Sequence, residues 1–252
     1  MAPISRLRRL GGMFLPEVEV YRESRNGVTY TISQKGRTRF LRVNGIVYSQ
    51  LSKDSVYAHT YHDKFLPLPL LYGGARVLVI GLCGGTIPYQ LSRMYGGKVS
   101  VDAVDVDAGS AELARRFLPE GRTDFNIIIA PGERFIEGCR EEYDIIIQDA
   151  YVGSRVPQEF LDHRFMSAAF AALRDDGILA INFIPDGEVT TDTYVLNLRK
   201  YFSNVYVIGH RIPGNQVIIC SKRLDKAQIV SAMRSRMSDS RKKELLRSYE
   251  TM

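Results

Sequence analysis

Three short clusters of this sequence carry residue types and spacings that could do chemistry. Gly81, Gly84 and Gly85 follow the apolar run Val77-Leu-Val-Ile80 and precede a helical pattern that opens at Thr86. A buried strand, a glycine turn and a helix N-terminus let a nucleotide-like ligand touch backbone. Asp105 ends the next apolar run, twenty residues after Gly85. An ionised carboxylate there can accept hydrogen bonds from both hydroxyls of a ribose. Its neighbour Asp107 reads as the N-cap of a helix starting at Ala108. Asp149 closes a third run, Ile145-Ile-Ile-Gln-Asp149. A carboxylate at that strand end can take a proton from an attacking amine, or hold an ammonium before it is deprotonated. A cap or a plain loop carboxylate is the alternative for Asp149. The segment Gly153-Ser-Arg-Val-Pro157 reads as a flexible loop over the same edge.

Other chemistries find little footing. His59 and His62 are three apart on a predicted helix with Asp63 beside them, but a third ligand for a metal is missing. The reading is therefore no metal. There is no Gly-x-Ser-x-Gly elbow, no P-loop and no His-Glu-x-x-His motif. Cys83, Cys139 and Cys220 are odd in number and widely spaced, which suits reduced thiols in a cytoplasmic protein. No run approaches the ~18 apolar residues of a membrane span. The first fourteen residues hold Arg6, Arg8 and Arg9 without the apolar stretch of a secretory signal.

The elements that must position these clusters alternate regularly. Continuous apolar strands are expected at 77–81, 99–106, 125–130, 143–149 and 177–184. Amphipathic helices fall between them at about 86–95, 108–117, 132–140, 158–174 and 190–202. Strands buried on both faces and separated by helices make a mostly parallel, doubly covered sheet. Two more strands, 204–210 and 215–221, are joined by Ile212-Pro-Gly-Asn215, too short for a crossover helix, so they pair antiparallel. Seven strands ending in such a hairpin give an α/β, methyltransferase-like Rossmann sheet. Ahead of it, residues 17–50 read as a small β region, with Asn44-Gly45 as the strongest hairpin turn. A helix is expected from about Val56 to Leu66. The division is 1–54 for the small β region, 55–222 for the Rossmann domain and 223–252 for a basic C-terminal helix.

The apolar share of 45% suits a globular chain with a real core. The net charge of +6 gathers at the end: nine Lys/Arg against four acids from Ser221 to Met252 leave the tail at +5. Such a tail could hold nucleic acid by neutralising phosphates, but a solvated surface helix is the reading preferred here.

In this setting the residues resemble the spermidine synthase (polyamine aminopropyltransferase) family, in the manner of its divergent members. The resemblance runs from about Val18 to Lys222. It rests on Asn44-Gly-Ile-Val-Tyr-Ser-Gln-Leu-Ser52, Tyr61-His62-Asp63, Val77-Leu-Val-Ile-Gly81, Val104-Asp-Val-Asp107, Glu112-Leu-Ala-Arg-Arg-Phe-Leu-Pro119 and Tyr143-Asp-Ile-Ile-Ile-Gln-Asp149. It implies an enzyme of polyamine metabolism that moves an aminopropyl group from decarboxylated S-adenosylmethionine to a small-molecule amine. Asp149 would prepare the amine and Asp105 would bind ribose. Gln50, Tyr61, His62 and Tyr151 would line the donor or acceptor pocket, and the 81–85 loop would pass under the nucleoside. A homodimer is also implied. Against the family pattern, the loop Gly81-Leu-Cys-Gly-Gly85 lacks the acid of Gly-Gly-Asp-Gly-Gly, which holds the donor's amine. Ala130-Pro131-Gly132 replaces Gly-Asp-Ala, leaving Glu133, two positions on, as the candidate partner of the adenine. The second acid of Asp-x-x-Asp falls on Val152, and the chain has no Trp. A diamine needs acids at both ends of its slot, and this sequence supplies one. Two other functions fit the same sheet: methyl transfer from S-adenosylmethionine itself, and a non-catalytic protein that keeps the fold.

Overall fold

The computed structural model describes residues 15–140, 142–153, 155–209, 214–236 and 240–252. Arg6, Arg8, Arg9 and the first two residues of the expected turn, Ile212 and Pro213, lie outside them. Four antiparallel strands come first: β1 (Val18–Arg25), β2 (Val28–Lys35), β3 (Thr38–Val43) and β4 (Ile46–Ser52), in the spatial order β1-β2-β3-β4. Two of their three turns are made by Asn26-Gly27 and Asn44-Gly45, all four residues at positive φ, as tight hairpins require.

The main sheet has seven strands in the order β10-β11-β9-β8-β5-β6-β7. These are β5 (Ala75–Ile80), β6 (Val99–Asp105), β7 (Asn126–Ile129), β8 (Tyr143–Gln148), β9 (Leu173–Phe183), β10 (Asn204–Ile208) and β11 (Gln216–Ser221). Strands β5 to β9 are parallel, and β11 pairs antiparallel with both β9 and β10. The fold class expected from the apolar runs is therefore the observed one. Chain order reverses between β5 and β8, so their carboxyl ends flank the crevice where such sheets bind ligands.

Helices cover both faces: α1 (Thr86–Tyr95), α2 (Ser110–Phe117), α3 (Gly132–Glu137), α4 (His163–Ala172) and α5 (Thr191–Leu198), followed by α6 (Lys226–Ser235) and α7 (Ser240–Glu250). One face packs Leu78, Ile80, Ile146 and Leu179 against α4 and α5 residues such as Phe165 and Tyr194. The opposite face packs Val77, Val79, Ile145 and Ile147 against Leu91, Ile229, Met233 and Tyr249. The C-terminal helices are thus seated on the core through Tyr249, whose hydroxyl donates to the Lys64 carbonyl. A smaller cluster, Ile32, Leu41, Leu51, Leu113 and Phe117, joins the antiparallel sheet to α2.

Three expectations need correction. The single basic helix expected over 223–252 is two helices, α6 and α7, with Ile229, Met233 and Tyr249 buried. The helix drawn over 56–66 is instead a loop followed by two short 3-10 turns, Tyr61–Phe65 and Leu68–Leu71. The buried Asp63 carboxylate collects the amides of Ala58 and His59 at 2.8 Å each, and Pro67 and Pro69 supply no amide donors. The helix drawn from Ala108 starts at Ser110, preceded by Gly109. Asp107 accepts the Gly109 amide and the Tyr30 hydroxyl and pairs with Arg25 at 3.3 Å. It closes a turn and ties β2 to the main sheet, so it is not the N-cap.

Candidate active site

The carboxyl ends of β5, β6, β8 and β9, roofed by β4, enclose a cleft of about 590 Å³. Its floor is the glycine turn. Gly81 sits at φ +96°, and its amide donates to the Val104 carbonyl at 2.8 Å. A Cβ at this position would lie 2.7 Å from the Asp149 carbonyl oxygen and 2.8 Å from Ala150 Cα. Only glycine permits that backbone approach. Gly84 and Gly85 serve differently. They lie under the cleft rather than on it: Gly84 packs on Leu41 and Phe117, and Gly85, at φ +74°, precedes α1.

Asp105 braces the same turn. Its Oδ2 accepts the amides of Leu82 (2.8 Å) and Cys83 (3.1 Å), and its Oδ1 accepts that of Asp107 (2.8 Å). The carboxylate lines the cleft while holding the loop. Cys83, at φ +43°, presents a thiol whose pKa burial pushes far up. At the start of α1, Thr86 Oγ1 is buried without a hydrogen-bond partner among the described residues. Thr86 lines the cleft, as does Glu133 in the first turn of α3.

On the other side Asp149 faces the cleft immediately beyond the end of β8. Its Oδ1 accepts the Asn182 amide at 2.7 Å and the Tyr61 hydroxyl at 3.1 Å. Both donors favour the ionised carboxylate. Desolvation outweighs them, and the pKa is pushed up from 3.8 to about 7. The Tyr61 phenol moves well upward for the matching reasons, burial first and the Asp149 charge second, and so remains a donor at neutral pH. Asn182 is held in turn by the Asn215 side-chain amide at 2.9 Å, and its carbonyl accepts the Tyr151 hydroxyl at 2.9 Å. His62 stacks on Tyr61 with ring centroids 4.0 Å apart, and its Nδ1 shares a 2.6 Å hydrogen bond with Thr60. Full burial drives its pKa down to about 3, so it is a neutral wall.

The structure thus brings Gly81, Asp105, Glu133, Asp149, Tyr61, His62 and Tyr151 to one cleft. Gln50 is not among them. Its side-chain amide donates to the Ala58 carbonyl at 2.9 Å, which turns it toward an adjoining chamber of about 370 Å³. Asn182 and Asn215 were missed by sequence reasoning. The rule that ligands meet strand carboxyl ends, applied to β9, would have nominated Asn182. Among the described residues no group of three or more His, Cys, Asp or Glu side chains could hold a metal ion. No described helix is long and apolar enough to cross a membrane.

A polyamine aminopropyltransferase of Pectobacterium atrosepticum is 30% identical over 187 residues, covering 69% of this chain and 63% of that protein. An N-terminal histidine N-methyltransferase of Emericella nidulans is 30% identical over 139 residues, 52% of this chain and 24% of that protein. The chain therefore spans less than two thirds of the length of these two relatives. The crystal structure of a probable spermidine synthase from Corynebacterium glutamicum has the same fold, with a TM-score of 0.73 at 17% identity over 84% of this chain and 85% of that one. The family model described as the spermine/spermidine synthase domain matches residues 58–213, more than half of the sequence, and the chain belongs to that family.

Proposed function

We propose that this chain is an aminopropyltransferase-like enzyme of polyamine metabolism, moving an alkyl group from a decarboxylated S-adenosylmethionine donor to a small-molecule amine. The observation that carries this reading is Asp149: a partly buried carboxylate, aimed into the cleft and poised to exchange a proton near neutral pH. The chemistry needs such a group. An amine attacks the methylene carbon next to the sulfonium only as the free base. Asp149 takes the ammonium proton, the amine nitrogen forms the new C–N bond, and the C–S bond breaks to leave a neutral thioether. Asn182 holds Oδ1, and the Tyr61 hydroxyl reaches both oxygens, at 3.1 Å from Oδ1 and 3.3 Å from Oδ2, so that Oδ2 is the less occupied atom toward the acceptor. The glycine turn, with the α1 N-terminus behind it, supplies the floor for the nucleoside, with Asp105 and Glu133 on its flank.

A second reading, methyl transfer from intact S-adenosylmethionine, is favoured by one feature. The loop offers Cys83 where an acid would hold a donor ammonium, and the unpartnered Thr86 hydroxyl at the α1 N-terminus suits a carboxylate. Calorimetry with decarboxylated S-adenosylmethionine, S-adenosylmethionine and 5′-methylthioadenosine separates the two. The first reading expects heat with the decarboxylated donor and the thioadenosine product, and the second expects tighter binding of the intact donor. No heat with any of the three refutes both and leaves a non-catalytic protein that keeps the fold.

A further inference from the structure

Beyond the Tyr61–His62 wall lies the second chamber, of about 370 Å³. It shares Val47, Tyr48, Ser49, Tyr61, His62 and Asn215 with the main cleft and adds Gln50, Thr60 and Lys64. Because the two cavities share these walls, an acceptor whose nitrogen meets Asp149 and whose far end passes Tyr61 would meet this chamber's lining. The chamber's charge is therefore the specificity element for that end.

Among the described residues Lys64 is its only charged lining residue, apart from His62, which is neutral. Lys64 Nζ reaches the end of β10, beside Gly209. It forms no salt bridge among the described residues. The nearest acid in sequence, Asp63, points the other way: its carboxylate is spent on the Ala58 and His59 amides and the Gln90 side chain. Half-burial pulls the Lys64 ammonium below the ordinary lysine range, as expected of a charge that has lost water and gained no counter-ion. Ser49, Gln50, Thr60 and Asn215 add neutral hydrogen-bonding groups. None of the described lining residues could neutralise a second ammonium, and Lys64 would repel one.

Resting on the transferase reading, we propose that the acceptor is an amine bearing a carboxylate at its other end, seated with its anion on Lys64, and that diamines are rejected. A carboxylate completes the chamber's one unmatched charge. A diamine places like charges together in a partly desolvated site.

The test uses the full chain with decarboxylated S-adenosylmethionine and three acceptors of similar length: 4-aminobutanoate, 1,4-diaminobutane and butylamine. Product is followed by mass spectrometry. The expected result is a kcat/KM for 4-aminobutanoate roughly tenfold or more above that for the diamine. Lys64→Glu should invert that ratio, and Lys64→Gln should bring it near one. A wild-type preference for the diamine, or a ratio that Lys64→Glu leaves unchanged, overturns the assignment. Because the wild-type ratio decides by itself, the test survives a variant that fails to fold. Turnover of butylamine without preference for the carboxylate sinks the Lys64 assignment alone. No turnover of any acceptor sinks the transferase reading and this inference with it.

Discussion

Replacing Asp149 by Asn should abolish transfer and at the same time make the protein more stable at alkaline pH. The side chain is isosteric. Its Oδ1 can keep the hydrogen bonds from Asn182 and Tyr61, while the amide nitrogen takes the place of Oδ2, which the Tyr61 hydroxyl approaches at 3.3 Å. Removing a general base costs about 10² to 10⁴ in rate. The stability gain follows from the raised pKa. Between pH 3.8 and about 7 the folded chain keeps a proton on Asp149 that the unfolded chain has released. Stability therefore falls as pH rises through that window, by about 1.4 kcal/mol per pH unit. Above pH 7 the accumulated cost is about 4 kcal/mol, an upper limit because the carboxylate is only partly buried and lines the cleft. The variant, having no charge to bury, escapes this cost. Urea unfolding of both proteins should show a gap in favour of Asn that widens by about 2 kcal/mol between pH 5 and pH 8. Transfer should vanish while 5′-methylthioadenosine still binds within a factor of about three. A variant no more stable at pH 8, or one that loses nucleoside binding, would refute the placement of Asp149 as a buried, reacting carboxylate.

The wild-type kcat/KM should fall tenfold per unit on the acid side, with a midpoint near pH 7. Tyr61→Phe removes a donor that favours the ionised form, so that midpoint should move upward by up to about one unit in the pH–rate profile. Cys83→Asp puts an acid into the loop at a positive φ that Asp tolerates. Calorimetry should show preference shifting toward the decarboxylated donor over the intact one by roughly tenfold. Gly81→Ala sets a Cβ 2.7 Å from the Asp149 carbonyl and strains a φ of +96°. It should cost more than about 3 kcal/mol in urea unfolding and eliminate nucleoside binding.

The sheet was readable because its strands are short apolar runs bounded by glycine and acids, and such runs are informative on their own. Val77 to Ile80 and Ile145 to Ile147 are buried on both faces, which only a covered parallel sheet provides. The stretch 56–66 misled because aromatic spacing of three and four fits a helix and also fits 3-10 turns anchored on a buried acid. Asp63 decides between them through Gln90, which contacts it from a helix 27 residues away, and no local pattern encodes that. In the candidate site, Asp105 and Asp149 were legible from their position at strand ends. Asp105 nevertheless spends much of its hydrogen-bonding capacity on the loop amides. The Asn182–Asn215 pair escaped notice because polar residues in buried strands carry no periodic signature. The charge of the second chamber was hidden for a different reason. Lys64 joins that chamber only when Gly209, just past the end of β10, is laid beside the Tyr61–Phe65 turn.

The roof over the cleft belongs to the small antiparallel sheet. Residues Ile46 to Ser49 line the cleft, the Tyr48 hydroxyl donates to the Gly153 carbonyl across it, and Arg39 donates to the carbonyls of Arg116 and Phe117. A ligand in the cleft would therefore touch both sheets at once. Its binding free energy would include whatever is needed to keep them docked, and by thermodynamic reciprocity the ligand would tighten that docking. Two fragments divided in the 53–74 connection would each lack half the walls. Mixed together, they should reassemble more readily with nucleoside present than without, the small molecule acting as mortar between them.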